Sequence, residues 1–314
     1  MLSKIKGVSE IYINNTAWIH VTKNETAQLN VIKKKFGFDE SDIDECRPGL
    51  QRPKLIEHPD YLFMILEFPH YDRQDRVIRG SELDFFIGRD FLVTVNTDSL
   101  KPLDNIWEKL SINPEYKNKI MNGNPEKLLF EILNNLLHYC FPMLNHINQD
   151  IDNVEKEVLK IPERKMGVIM EILRTKRNIV TFRKTMQAHK SIITKMINKL
   201  GRFFPSKQLN LYLNNLVNHT KDIWDFLENY QETINAIHET HQSLVSNRMS
   251  DIIKTLTIFS VIIFPLTLVA TIFSMNTVNG MPLLGHQIDF WLVITILIIL
   301  TGVMIGYFRR RKWL

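Results

Sequence analysis

Two long apolar runs near the C-terminal end limit what this chain can become. From Thr255 to Gly285 no residue carries a charge, and within that stretch "LTIFSVIIFPLTLVATIF" supplies roughly the 20 apolar residues that a bilayer crossing needs. A second run of similar length, "FWLVITILIILTGVMIGYF", extends from Phe290 to Phe308. The alternative use of such runs is a buried helical hairpin in a water-soluble protein. Two crossings place both flanks on one side of a bilayer. Arg248 and Lys254 precede the first run and Arg309, Arg310, Arg311 and Lys312 follow the second, while the link carries only Asp289 and the titratable His286. By the positive-inside tendency, both termini are expected in the cytosol and the link outside.

The chain-wide average conceals this division, since 45% hydrophobic and 23% charged residues describe an ordinary soluble protein. Residues 1 to about 250 are charged, rich in Asn and Lys, and free of any membrane-length run, so a large cytosolic part is expected ahead of a membrane part. The opening "MLSKIKGVSEIYI" lacks the apolar core and small-residue cleavage site of a secretory signal. Cys46 and Cys140 have no motif spacing and read as two reduced thiols. The net charge of +5 is dispersed among acids except in "RRRKWL", which predicts no nucleic-acid partner. No P-loop pattern is present, and the ten histidines form no catalytic constellation. His238 and His241, at i and i+3, read as helix-surface residues rather than a metal pair. Neither an enzyme nor an organic cofactor is expected.

The polar residues of the first run all point one way. Thr257, Ser260, Phe264, Thr267, Thr271 and Ser274 alternate spacings of three and four, which aligns them on one helical face. Ile258, Ile262, Leu266, Val269 and Ile272 fall on the opposite side, for lipid or the second crossing. Hydroxyls that bond back to their own helix, and small residues that ease helix packing, produce the same pattern. The register nevertheless continues backwards out of the membrane, through Ile253, Ser250, Ser246, Ser243, Glu239, Ala236, Glu232, Asn229, Asp225, Asp222, Asn218 and Asn215. One helix of roughly 60 residues, about 90 Å long, therefore carries a stripe that passes from acid to serine to threonine. Leu216, Ile223, Leu227, Ile234, Ile237 and Leu244 remain for packing. Individually the acids fit a solvated face. As a set they suggest an aqueous cation path, which one helix cannot enclose, so a ring of identical copies with the stripe inward is required. Ile253, Leu256 and Phe264 are the bulky members and the candidate hydrophobic gate. Pro265 is tolerated where neighbours satisfy the carbonyl it frees.

Upstream, "IYINNTAWIHV", "YLFMILEFPHY", "LDFFIGR" and "FLVTVN" are β-branched and aromatic runs, with helical "TAQLNVIKKKFG" and "DNIWEKLSI" between them. From about residue 126 apolar residues recur at helical spacing, and Pro205 marks a turn before the long helix. The expected division is an α/β domain over 1–125, connecting helices over 126–205, and a stalk helix continuing into the first crossing over 206–273. An external link over 274–289, the second crossing over 290–308 and a basic tail over 309–314 complete it.

These features resemble the CorA-type family of magnesium transporters. "SNRMSDIIKTLTIFSVIIFPLTLVATIFSMN" is similar to the end of that family's stalk helix with its first membrane helix, and "YFRRRKWL" to its basic ending. "ELDFFIGRDFLVTVN", "YLFMILEFP" and "LLFEILNNLLHYCFPMLNHINQDIDNVEKEVL" are similar to its cytosolic domain and connecting helices. The resemblance implies an α+β cytosolic domain, long stalk helices and two transmembrane helices, assembled as a funnel-shaped homopentamer in the cell membrane with the pore lined by the first crossing. It implies Mg2+ as transported and regulatory ion, and a Gly-Met-Asn motif whose Asn ring faces the hydrated ion. Met275 and Asn276 match that motif; Ser274 stands in the glycine's place, where a Cβ is expected to be unfavourable if the backbone turns. The following "MPLL" lacks the family's usual glutamate, so Co2+, Ni2+ or Zn2+ stays open beside Mg2+. At the family's regulatory carboxylate position this chain has Asn215, with Asp222 and Asp225 as candidates to take over. The expected lining is thus Glu232, Glu239, Ser250, Thr257, Ser260, Thr267 and Thr271, with Ser274, Met275 and Asn276 selecting and Arg309, Arg310, Arg311 and Lys312 forming a basic ring.

Overall fold

The computed structural model describes residues 6–22, 25–47, 49, 51–96, 100–121, 125–160, 165–204, 207–275, 289–311 and 313. They group into two compact units, Met1–His238 and Glu239–Leu314.

The first unit begins with β1 (Val8–Ile13) and β2 (Thr16–Val21), paired antiparallel about Asn14, whose φ is 48°. The run that reads as one extended stretch in sequence folds back on itself there, because asparagine tolerates left-handed backbone. Then come α1 (Thr26–Phe36) and α2 (Glu40–Glu45), the latter capped by the Asp39 carboxylate, which accepts from the Ser41 N–H at 2.9 Å. Strands β3 (Lys54–Glu57), β4 (Tyr61–Asp72), β5 (Val77–Gly88) and β6 (Phe91–Val95) complete a sheet of order β1-β2-β6-β5-β4-β3. All neighbours are antiparallel except β2 and β6.

Both faces of this sheet are covered, which explains why β4 is continuously apolar instead of alternating. Tyr61, Phe63 and Ile65 pack beneath α1 and α2 with Ile19, Leu29, Ile32 and Phe86. Leu62, Met64, Leu66 and Phe68 face the other way, into a larger core built with the downstream helices. Those helices are α3 (Lys101–Ile112), α4 (Pro114–Met121), α5 (Pro125–Lys160), α6 (Lys165–Met186) and α7 (His189–Leu200). The short elements β3, α2 and α4 carry too few residues for a periodicity to be visible in sequence. Pro205, the expected turn, lies outside the described residues.

A long helix, α8 (Lys207–Phe273), follows. Its Leu213, Leu216, Ile223, Leu227, Ile234 and Ile237 are buried in the larger core opposite Leu133, Leu137, Cys140, Leu144 and Ile151 of α5. Leu244, expected to pack with them, is 43% exposed instead: it lies in the second unit, past the last core layer at Ile237. That unit contains the rest of α8 and α9 (Asp289–Arg310). Among the described residues, α8 and α9 are the helices long and apolar enough to cross a membrane.

Candidate functional site

The α8 segment forms one helix because nothing in it resists: no glycine occurs between Lys207 and Phe273, and Pro265 is its single proline. Proline there withdraws the N–H that would bond to the Val261 carbonyl. As far as Ile237 the buried and exposed faces of this helix separate cleanly, and beyond it most residues are exposed. Asn215, Asn218, Asp222, Asp225, Asn229, Glu232, Ala236, Glu239, Ser243, Ser246 and Ser250 are exposed, as are Thr257, Phe264, Thr267, Thr271 and Ser274 beyond them. Ser260 alone in the stripe is half-buried. On the other side Ile258 is buried and Ile262, Leu266 and Val269 are half-buried.

Exposure by itself does not distinguish a water path from a lipid face, since Phe259, Val261, Ile263 and Leu268 are exposed too. The exposed apolar side chains are those a bilayer solvates, while most of the hydroxyls fall on one face, with Thr255, which donates to the Asp251 carbonyl at 2.8 Å, off it. Five hydroxyls of the stripe are committed in the same way. Ser250 donates to the Ser246 carbonyl at 3.0 Å, Thr257 to Ile253 at 2.8 Å, Ser260 to Leu256 at 3.0 Å and Thr267 to Ile263 at 2.9 Å; Thr271 donates to Thr267. A hydroxyl whose proton is spent on its own helix offers only lone pairs outward. Water bound to a cation turns its protons away from the ion, so an acceptor-only surface is the one a hydrated cation can use.

Of the expected gate residues, Ile253, Leu256 and Phe264 are all exposed, Phe264 at 73%. At the end of the helix, the Ser274 N–H donates to Ala270 O at 3.0 Å and to Thr271 O at 3.1 Å, a tightened last turn. Ser274 does not take a left-handed φ, so its Cβ meets no strain of that kind in the helix's last turn. Met275 is exposed; Asn276 and His286 lie outside the described residues, as does Lys312.

The structure also brings together residues that their sequence spacing does not. In the second unit, Ser250, Ile253, Lys254 and Thr257 share a groove of about 590 Å3 with Arg311 and Trp313. The Arg311 guanidinium lies 5.9 Å from the Tyr307 ring centroid, and the Trp313 ring stacks on Phe308 at 5.9 Å. The basic tail therefore borders the hydroxyl stripe rather than merely following α9, and Arg309 and Arg310 occupy the last turn of that helix. In the first unit, the His219 ring of α8 lies 4.8 Å from His138 of α5. Burial and the neighbouring His138 hold the His219 pKa below the usual imidazole value, with Asp222 opposing. Periodicity could not reveal this pair, because the partners are 81 residues apart on different helices. Asp222 and Asp225 are exposed, and no group of three His, Cys, Asp or Glu among the described residues is arranged to hold a metal ion. Cys46 and Cys140 are both buried, and neither is in a disulfide.

Residues 14–310 match the family described as CorA-like Mg2+ transporter protein. The chain is 24% identical over 298 residues to the cobalt/magnesium transport protein CorA of Thermotoga maritima, covering 95% of this chain and 83% of that one. It is 21% identical over 314 residues to the magnesium transport protein CorA of Wolinella succinogenes, covering 96% and 92%. The complete structure of the CorA magnesium transporter from Methanocaldococcus jannaschii superposes with a TM-score of 0.85 at 22% identity, covering 98% of this chain and 94% of that one. A match spanning nearly the whole sequence, on a fold shared from the first strands to the last membrane-length helix, places this chain in the CorA-like Mg2+ transporter family.

Proposed function

We propose that this chain is one subunit of a homopentameric channel that carries hydrated divalent cations, Mg2+ foremost and Co2+ beside it, across the cell membrane. The observation that carries the reading is the stripe of α8 from Asn215 to Ser274, exposed except at the half-buried Ser260, along which Ser250, Thr257, Ser260, Thr267 and Thr271 present only acceptors. Family membership and the names of the relatives support the ion class.

In this reading residues 1–125 and 126–205 form the cytosolic part, 206–273 the stalk and first crossing, and 290–308 the second crossing, with both termini in the cytosol. Five copies of α8 surround the axis. Glu232 and Glu239 line the inner, acidic end, Ser250, Thr257, Ser260, Thr267 and Thr271 the hydroxyl section, and Ser274, Met275 and Asn276 the outer mouth. Mg2+ releases its waters reluctantly and keeps octahedral geometry, so oxygen acceptors spaced for the whole hydrate suit it better than a carboxylate cage. Rings of Ile253, Leu256 and Phe264 resist wetting and close the path. Arg309, Arg310, Arg311 and Lys312 form a basic collar, and a regulatory cation is held between subunits with the help of Asp222. No nucleotide is needed, because the inside-negative potential supplies the work.

The test is Mg2+ influx into proteoliposomes containing the purified chain, read by an internal Mg2+ dye. Asn276→Ala is expected to lower the rate roughly tenfold, equivalent to about 1.4 kcal/mol on the barrier. No influx from the parent, together with no effect of Asn276→Ala, overturns the reading. Ser274, in place of glycine, favours a second reading in which Zn2+, Co2+ or Ni2+ is the preferred ion. Competition among these ions and Mg2+ in the same vesicles separates the two.

A further inference from the structure

The first unit exposes two surfaces of complementary charge that its own chain leaves unused. One is a face of α6, where Met166, Met170, Leu173 and Arg177 follow one another at spacings of four, three and four. Met170 is 59% and Leu173 52% exposed, a row of large apolar side chains that a solvated helix does not need. The segment is also strongly basic: from Lys165 to Leu200, Glu171 is the lone acid. The other surface is a groove of about 410 Å3 between α5 and α8, lined by Asn145, Asn148, Asp152 and Glu155 on one side and Phe226 and Asn229 on the other. No lysine or arginine lines it, Phe226 is 46% exposed, and Asp222 and Asp225 are exposed beside it on α8. Among the described residues, neither Asp152, Glu155 nor Asp225 on the acidic side nor Arg177 on the basic side has an ion-pair partner.

The two surfaces also lie at the same level. Asp150 of α5 and Glu171 of α6 both reach the Arg76 guanidinium, at 3.6 and 3.7 Å, which fixes where the two helices are side by side. The helices are joined through residues 161–164 and run antiparallel, so Met166, Met170, Leu173 and Arg177 stand level with Glu155, Asp152, Asn148 and Asn145 in turn. His138 of α5 lies beside His219 of α8, and further on Asn145 and Asn148 line one groove with Phe226 and Asn229, so the two helices run in the same direction and Asp225 stands at about the level of Asn145, and hence of Arg177. A cyclic rotation preserves height along its axis, so a contact between different faces of two identical subunits can close a ring only where those faces share a level.

We propose that in the homo-oligomer the Met170–Leu173–Arg177 face of α6 of each subunit sits in the α5–α8 groove of the next, with Arg177 against Asp225. Apolar side chains cover Phe226, and the basic helix neutralises the acidic rim. The occupant is a second copy of this chain, and the inference rests on the assembly proposed above.

The test uses the full chain in detergent, with Leu173→Cys and Asn148→Cys introduced together. Native Cys46 and Cys140 are buried, so the new thiols carry the reaction, and maleimide-dye labelling first verifies that both are accessible. A short bismaleimide is expected to give a ladder of two to five linked chains from the double variant and none from either single variant. Arg177→Asp is expected to lower the linked fraction several-fold, and adding Asp225→Arg to restore it. If light scattering reports an oligomer but the double variant yields no ladder, this interface is wrong while the assembly stands. If light scattering reports a monomer, the assembly falls and the interface with it.

Discussion

Threonine on α8 has two separable properties, a hydroxyl that accepts from water and a methyl that packs. Thr267 and Thr271 each spend the hydroxyl proton one turn back on the helix, leaving lone pairs to the proposed path. Thr267→Val keeps the volume and removes the acceptor, and five copies multiply the loss around the ring. Mg2+ influx is expected to fall about tenfold for Thr267→Val and to survive in Thr267→Ser, with the oligomer mass unchanged in both. A second residue acts on stability instead of transport. His189 is completely buried against the edge of Phe68, at 4.9 Å between ring centroids, and burial lowers its pKa to about 4. The folded state thus holds this ring neutral, while the unfolded chain binds a proton near pH 6.5. Between those values the unfolded state carries more protons, so stability is full above pH 6.5 and declines as pH falls toward 4. His20 is buried and lowered in the same way. Melting temperature is expected to drop between pH 7 and pH 5, and His189→Met, which cannot charge, to flatten that slope.

At the level of elements, α8 is a helix with two jobs divided along its length. Up to Ile237 it presents an apolar ridge to α5, and from Leu256 onward its exposed side chains are apolar apart from the hydroxyls. Leu227→Ala removes a fully buried side chain from that ridge and is expected to cost about 2–5 kcal/mol, seen as a lower melting temperature. Leu244→Ala, beyond the ridge, is expected to change stability by less than about 0.5 kcal/mol. Leu216, Ile223, Leu227, Ile234 and Ile237 were legible in sequence because a helix repeats its inner face every three or four residues. The same periodicity carries equally well past the last core layer, so it gave no sign that Leu244 would be exposed. The hairpin at Asn14 was hidden because the β-formers on either side of a turn of just two residues, Asn14 and Asn15, read as one run. At the candidate path, the stripe was legible for the same reason as the ridge. What escaped were contacts between separate elements: His138 beside His219, and Arg311 and Trp313 beside Ser250 and Thr257. Pairs of this kind depend on tertiary packing, and a single sequence carries no periodic trace of them.

At the scale of the whole assembly, two functions use the same architecture but differ in what the stripe must do. A membrane-tethered sensor needs α8 only as a rod, so leucine at the stripe positions leaves it working. A channel needs water along that face and gains its driving force from the membrane potential. Each charge moved across 100 mV is worth about 2.3 kcal/mol, so a divalent ion gains about 4.6 kcal/mol, close to a 2,000-fold accumulation at balance. Vesicles held inside-negative by a potassium gradient and valinomycin are therefore expected to concentrate Mg2+ well above the bath, and to stop doing so when the gradient is removed. Replacing Thr257, Thr267 and Thr271 together by leucine builds an apolar lining that excludes water, so accumulation should vanish while the light-scattering mass remains that of the parent oligomer. Accumulation that persists in this variant removes α8 as the path, even if the protein still transports. Accumulation that never occurs in the parent, in a correctly assembled oligomer, leaves the tethered sensor as the reading that the architecture supports.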